Sequence, residues 1–347
     1  MRNDRIEAKW IDTFEKILKH CEVKPGDEVA ILSETQSLQL NVQLCELALQ
    51  RMGARCFHIV MPAAPIIDSV PLRSTGASES LRRNSAVIKA LGSTAFVADL
   101  TVEGIIHAPE LREILAGGTR VYVFSDEHPE ILERVAIDPI IEARMAEASD
   151  LLRGASLMHV SSDHGTDLSV QLEKAVFGKN WGVVTEPGTL GGWPGGLVGV
   201  FPASGTVNGR IVLAPGDFNC TFKRYIETPV TLRIENDFIT SIEGDGVDAA
   251  LFREYYASYG DPEAYGTSHV GWGVNHKAHW ESAAMFDKND SNGAEIRSFA
   301  GNFLFSSGAN SLAGRFTRCH FDIPMRQCTI RVDSRIVVDK GRLLELT

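Results

Sequence analysis

The chain is predicted to be α/β, with an N-terminal doubly wound parallel-sheet domain and a mainly β C-terminal domain. Three observations predict this. Its 347 residues exceed what one core usually holds and suggest two domains. Through about residue 153, short apolar runs alternate with segments of helical spacing, the pattern of a parallel sheet covered on both faces. From Leu157 onward glycine is dense, helical periodicity is scarce and strand-like alternation dominates. The expected division is residues 1–156 and 157–347.

The elements follow in order. Ile6, Trp10, Phe14, Ile17 and Leu18 form one stripe of an amphipathic helix. Residues 27–32 are an apolar run after Pro25-Gly26 and read as a buried strand. Residues 37–52 have helical spacing, with Gly53 suited to end the helix. A strand at 55–60, a helix near 78–91, a strand at 94–100, a helix near 109–116 and a strand at 120–124 continue the series. One helical stretch from about 129 to 153 closes it. In the second half, strands are expected at 211–213, 230–234, 238–242, 329–332 and 335–338, with a helix at 249–258. The segment Gly188 to Gly196, with five glycines, reads as a loop.

Bulk properties exclude several classes. The net charge of −11 argues against nucleic acid and anionic membrane as partners, which both select basic patches. No apolar run approaches the roughly 18 residues of a membrane span, and the N-terminus lacks a signal-peptide apolar region. The six cysteines (21, 45, 56, 220, 319 and 328) contain no C-x-x-C pair and read as reduced thiols of a cytoplasmic protein. Neither a G-x-x-x-x-G-K-[ST] loop, nor a G-x-G-x-x-G after the first strand, nor a G-x-S-x-G elbow is present, so nucleotide-binding and serine-nucleophile readings fall away.

Candidate chemistry gathers late in the chain. In Cys319-His320-Phe321-Asp322-Ile323-Pro324, an extended His-x-Asp puts both side chains on one face. His269, before an expected turn at Gly271-Trp272-Gly273, lies about fifty residues earlier, and the three together make the two-histidine, one-carboxylate set that suits iron(II). His276 and His279 rival His269, because i,i+3 histidines on a helix share a face. His159, His164 and Asp167 form another cluster, which a turn explains equally well. His107 follows the third strand, where open α/β sheets bind ligands, and a histidine there can act as general acid or base. Ser306 and Ser307 can hydrogen-bond a polar substrate or simply form a turn.

The blocks Pro262 to Gly273, Phe299 to Gly308 and Cys319 to Pro324 closely resemble the 2,5-dihydroxypyridine 5,6-dioxygenases of bacterial nicotinate degradation. The similarity extends over nearly the whole length and is densest after residue 200. More distantly, Gly165-Thr166-Asp167-Leu168 and the final His-x-Asp resemble the leucyl aminopeptidases of the aminopeptidase T type. The resemblance implies an iron(II) ion bound by His269, His320 and Asp322, with His107 as acid–base residue and Ser306 beside it. It implies extradiol-type cleavage of a hydroxylated N-heterocycle with both atoms of O2 incorporated, and assembly as a homo-oligomer. It also places substrate-recognising positions at Asn180 and Gly192, where the family pattern has an acidic side chain and a histidine, so the reaction type carries over more safely than the substrate. A dinuclear aminopeptidase is the alternative, but Phe201 to Val207 lacks the carboxylate that such a site needs. A non-catalytic relative that kept the fold is a third reading.

Overall fold

The structure, a computed structural model, describes residues 5–63 and 79–345. The first apolar runs form a parallel sheet in the spatial order Arg55–Met61, Glu28–Glu34, Phe96–Asp99, Arg120–Phe124 and Leu190–Trp193. Six of the seven residues in Glu28–Glu34 are buried, as a strand covered on both faces requires. Helices Ala8–His20 and Gln39–Arg51 cover one face, where Phe14, Ile17 and Leu44 pack with Ile31, Phe96 and Tyr122. Ser85–Gly92 and Leu111–Ala116 cover the other, where Ile88, Leu91 and Ile114 meet Leu32, Val97 and Val121. The sheet is therefore doubly wound, as expected.

Four expectations change here. Residues 188–196 are not wholly a loop, because Leu190–Trp193 pairs in parallel with Val121–Phe124. Residues beyond 156 thus complete the first sheet. The two glycines inside this strand allow close packing: a Cβ on Gly192 would lie 3.1 Å from the Val123 carbonyl oxygen. The stretch 129–153 is two helices, Pro129–Arg134 and Pro139–Arg153. Asp138 caps the second through the Ile140 amide at 2.9 Å, and Pro139 suits a first helical turn but not a helix interior. The helix expected near 78–91 begins at Ser85, capped by Asn84; residue 78 lies outside the described residues. Ile6 is exposed and precedes its helix.

The rest of the chain is mostly antiparallel sheet. Eight strands, including all five expected in the second half, make one sheet. Arg315–Met325, Phe303–Asn310, Thr267–Gly273, Leu197–Phe201 and Val176–Asn180 make a second. Val270, Trp272, Phe303, Phe305, Phe321 and Ile323 point from the second sheet into a shared core, which helix Gly246–Ser258 joins through Phe252 and Tyr256. Alternation along each strand leaves the opposite face for other work. Among the described residues, no helix is long and apolar enough to cross a membrane.

Candidate active site

The outer face of the five-stranded sheet carries the chemistry. His269 pairs in register with Ser306, Ser306 with Asp322, and Gly308 with His320, so these side chains share one face. Asp322 and His320, two apart on Arg315–Met325, project together as the His-x-Asp spacing predicts. That strand is the sheet's edge, which explains why it tolerates Pro324. The Gly-Trp-Gly after His269 is strand, not the expected turn. Its glycines permit close packing: a Cβ on Gly271 would fall 1.9 Å from the Val198 carbonyl oxygen, and one on Gly273 2.1 Å from that of Phe299. Gly271→Ala is accordingly expected to cost about 3 kcal/mol, the upper end of ordinary overpacking. Chemical denaturation measures this directly; an unchanged midpoint would contradict the tight strand contact.

His269, His320 and Asp322 are all at least nine-tenths buried (7%, 2% and 4% exposed). Oδ1 of Asp322 stands 3.2 Å from His320 Nε2 and 3.8 Å from His269 Nε2. Ser306 Oγ donates to the same oxygen. Nδ1 of His269 is buried without a hydrogen-bond partner. Burial pushes His269 down to about 3, so its ring is neutral at pH 7. Burial alone would raise the Asp322 carboxyl, but His320, Arg297 and His269 hold it well below the usual range. A neutral His269 ring beside an ionised carboxylate offers donors in the protonation states that a cation needs.

The parallel sheet supplies the opposite wall. His107 lies after Phe96–Asp99, its ring centroid 4.0 Å from that of His320 and 5.9 Å from that of His269. Candidate ligand atoms of His107, His269 and His320 all fall within 4.8 Å of one another. Asp99 anchors the loop that carries His107: its carboxylate accepts from the Thr101 amide (3.0 Å), the Thr101 hydroxyl (2.7 Å) and the Ile105 amide (2.7 Å). The cavity between the walls lies outside the carboxyl ends of Phe96–Asp99, Arg120–Phe124 and Leu190–Trp193, the usual ligand position in open α/β sheets. Gly178, Gly199, Phe201 and Leu304 line its floor, giving flat apolar surface beside the polar cluster.

Other expected site residues are placed as follows. Asn180 and Gly192 line the cavity, but the Asn180 amide is engaged with backbone. Its Oδ1 accepts from the Gly182 and Gly192 amides at 3.2 and 3.1 Å, and Nδ2 donates to the Pro194 carbonyl at 3.3 Å. Ser307 is a correction: alternation turns it to the core face, where its hydroxyl meets that of Tyr256 at 2.6 Å. His276 and His279 are also corrections, for they lie in a turn and an irregular segment rather than on a helix. His276 faces Asp138 at 3.6 Å. His159 pairs with Asp167 at 2.8 Å and His164 with Gln327 at 3.0 Å, both at exposed positions. All six cysteines are free, and Cys319 packs in the core, away from the histidines.

Sequence reasoning missed Arg297 and Glu127. Arg297 Nε donates to Asp322 Oδ2 at 2.6 Å and lines the cavity. An arginine between Ile296 and Phe299 was the available signal, since a charge in apolar surroundings needs a partner. Glu127 accepts from the Ala294 amide at 2.8 Å, at the start of the helix that carries Arg297. Burial pushes its carboxyl up from 4.5 to about 7. The native state therefore binds more protons than the unfolded chain between those values, and this group's contribution to stability is lost as pH rises through that window. Glu127→Gln is expected to flatten the stability–pH profile from about 4.5 to 7, by up to roughly 3 kcal/mol. Urea unfolding across that range measures it, and an unaltered slope would contradict the assignment.

A parallel sheet whose carboxyl ends face a histidine-lined antiparallel sheet defines a two-part α/β enzyme architecture. AmpT from Thermus thermophilus shares this fold, with a TM-score of 0.62 over 97% of this chain and 100% of that one at 15% identity. The match to the family model for 2,5-dihydroxypyridine 5,6-dioxygenase spans residues 9–345, and the chain belongs to that family. A 2,5-dihydroxypyridine 5,6-dioxygenase of Pseudomonas putida KT2440 is 35% identical over 338 residues, 96% of this chain and 95% of that protein. The solved structure of 2,5-dihydroxypyridine dioxygenase from the same strain superposes with a TM-score of 0.91 over 98% of each chain, at 34% identity. The chain is a dioxygenase.

Proposed function

We propose that this enzyme cleaves the ring of 2,5-dihydroxypyridine, or a closely related hydroxylated N-heterocycle, with both atoms of O2 incorporated. We further propose that iron(II) is held by His269, His320 and Asp322. The observation that carries the reading is the projection of these three side chains into one cavity from the two strands that flank Phe303–Asn310, in a chain 35% identical to an enzyme of that name. Two imidazoles and a carboxylate suit iron(II), and the orphaned Nδ1 of His269 fits a group that has a partner to gain. When bound, iron(II) supplies open coordination positions and the redox chemistry that O2 requires.

The chain's own residues do the rest. The apolar floor at Phe201 and Leu304 accepts a flat ring and excludes water, which strengthens electrostatic contacts inside. His107, held by the loop that Asp99 anchors, faces the ring's hydroxyl edge. Burial, with His320 and His269 nearby, keeps it well below the ordinary histidine range, so its ring is neutral when substrate enters; in this reading it then takes the hydroxyl proton and later returns it. Ser306 holds Asp322 Oδ1 and steadies the carboxylate. The family match and the 35% identical dioxygenase favour this reading over a dinuclear aminopeptidase.

The test is anaerobic loading with iron(II), followed by O2 uptake with 2,5-dihydroxypyridine. One O2 consumed per ring cleaved is the expected result. Absence of uptake with this substrate and with a panel of dihydroxypyridines and pyridones would overturn the reading.

A further inference from the structure

Asp322 has two carboxylate oxygens, and the structure treats them differently. Oδ1 faces His320 and His269 and accepts from Ser306. Oδ2 accepts from Arg297 Nε at 2.6 Å. The arginine side chain is itself about nine-tenths buried, at 10% exposure, and its Nη1 donates to the Asn292 carbonyl at 2.6 Å. A planar guanidinium gripped at two of its nitrogens cannot swing away, unlike a lysine ammonium on its flexible stem.

The backbone under Arg297 is locked as firmly. Asn302 Nδ2 donates to the carbonyls of Ile296 and Arg297 at 2.6 and 2.8 Å. The Asn302 Oδ1 accepts from the Gly273 amide at 2.8 Å, on the strand that carries His269. The Asn275 amide donates to the Ser298 carbonyl at 3.0 Å. A Cβ on Gly273 would collide with the Phe299 carbonyl oxygen at 2.1 Å, so glycine there lets helix Ala294–Ser298 approach. The arginine, the histidine strand and the aspartate strand are thereby set in one fixed relation. Mere neutralisation of a buried carboxylate would not call for so many links.

We propose that Arg297 is a positioning residue that withholds Oδ2 of Asp322 and turns Oδ1 toward the histidines, so that the carboxylate serves as a one-oxygen ligand. This rests on the ligand set proposed above. Partners that orient a metal ligand typically govern affinity by about 10–100-fold, and they alter the geometry that a bound ion reports.

Cobalt(II) titration of the metal-free protein, followed by visible absorption, tests this on wild type, Arg297→Gln, Arg297→Lys and Asp322→Ala. Arg297→Gln should still bind one ion per chain, about 10–100-fold more weakly, with shifted ligand-field bands as the freed carboxylate offers both oxygens. Arg297→Lys, which keeps the charge but not the planar fork, should shift the bands in the same direction. Wild-type affinity and bands in Arg297→Gln would overturn the proposal. If circular dichroism shows that this variant does not fold, Arg297→Lys decides, and wild-type bands and affinity there would overturn it equally. Wild-type binding by Asp322→Ala would instead remove the ligand set itself, a separate failure.

Discussion

Replacing His320 by alanine is expected to release the metal and reduce O2 consumption to background. The ring is 2% exposed, projects from the same strand as Asp322, and lies close to both His269 and His107. Among the described residues His107 is the remaining imidazole that approaches this cluster, and it rides a loop of the facing wall; His276 faces Asp138, and neither it nor His279 lines the cavity. The loss of turnover should exceed the roughly 10²–10⁴-fold that removal of an acid–base group costs, because the centre itself is gone. Elemental analysis beside an activity assay measures it, with circular dichroism to establish that the variant is folded. A folded His320→Ala protein that keeps stoichiometric metal would refute the assignment.

His107→Gln is expected to behave differently: metal retained, kcat reduced by about 10²–10⁴-fold. Three histidines approach one another here, so His107 has to be weighed as a third ligand against Asp322. Geometry favours the carboxylate. Its Oδ1 is 3.2 Å from His320 Nε2, and it sits on a strand in register with the other donors, whereas His107 rides a loop and is half-buried. Glutamine preserves much of the volume while removing proton exchange near neutral pH. Loss of metal in this variant would move His107 into the ligand set and leave the acid–base role vacant. A fall in kcat with stoichiometric metal supports the assignment as given.

Much of this architecture was legible because it rests on side-chain pattern. The apolar runs at 28–34, 96–99 and 120–124 are buried on both faces and announce themselves as parallel strands. The His-x-Asp pair obeys the two-residue period of a strand, so its convergence was readable from spacing alone. What escaped lacks a pattern to read. Leu190–Trp193 has glycine at its centre, chosen for closeness to neighbouring backbone, and β-propensity is silent there. Gly271-Trp272-Gly273 looked like a turn for the same reason. Ser307 was assigned by adjacency to Ser306, although alternation sends it to the core. Arg297 is a single residue whose importance comes from tertiary contact with Asp322; its apolar neighbours signal that it needs a partner but not which one. Asp99 likewise reads as a strand end, while its three accepted hydrogen bonds set the loop that presents His107.

Iron K-edge X-ray absorption on the anaerobically loaded protein tests the central claim most directly. The account predicts one iron per chain, a scattering pattern from two imidazole rings, and a spectrum unchanged in His107→Gln. Two metal ions per chain, or a third imidazole that disappears with His107, would contradict it.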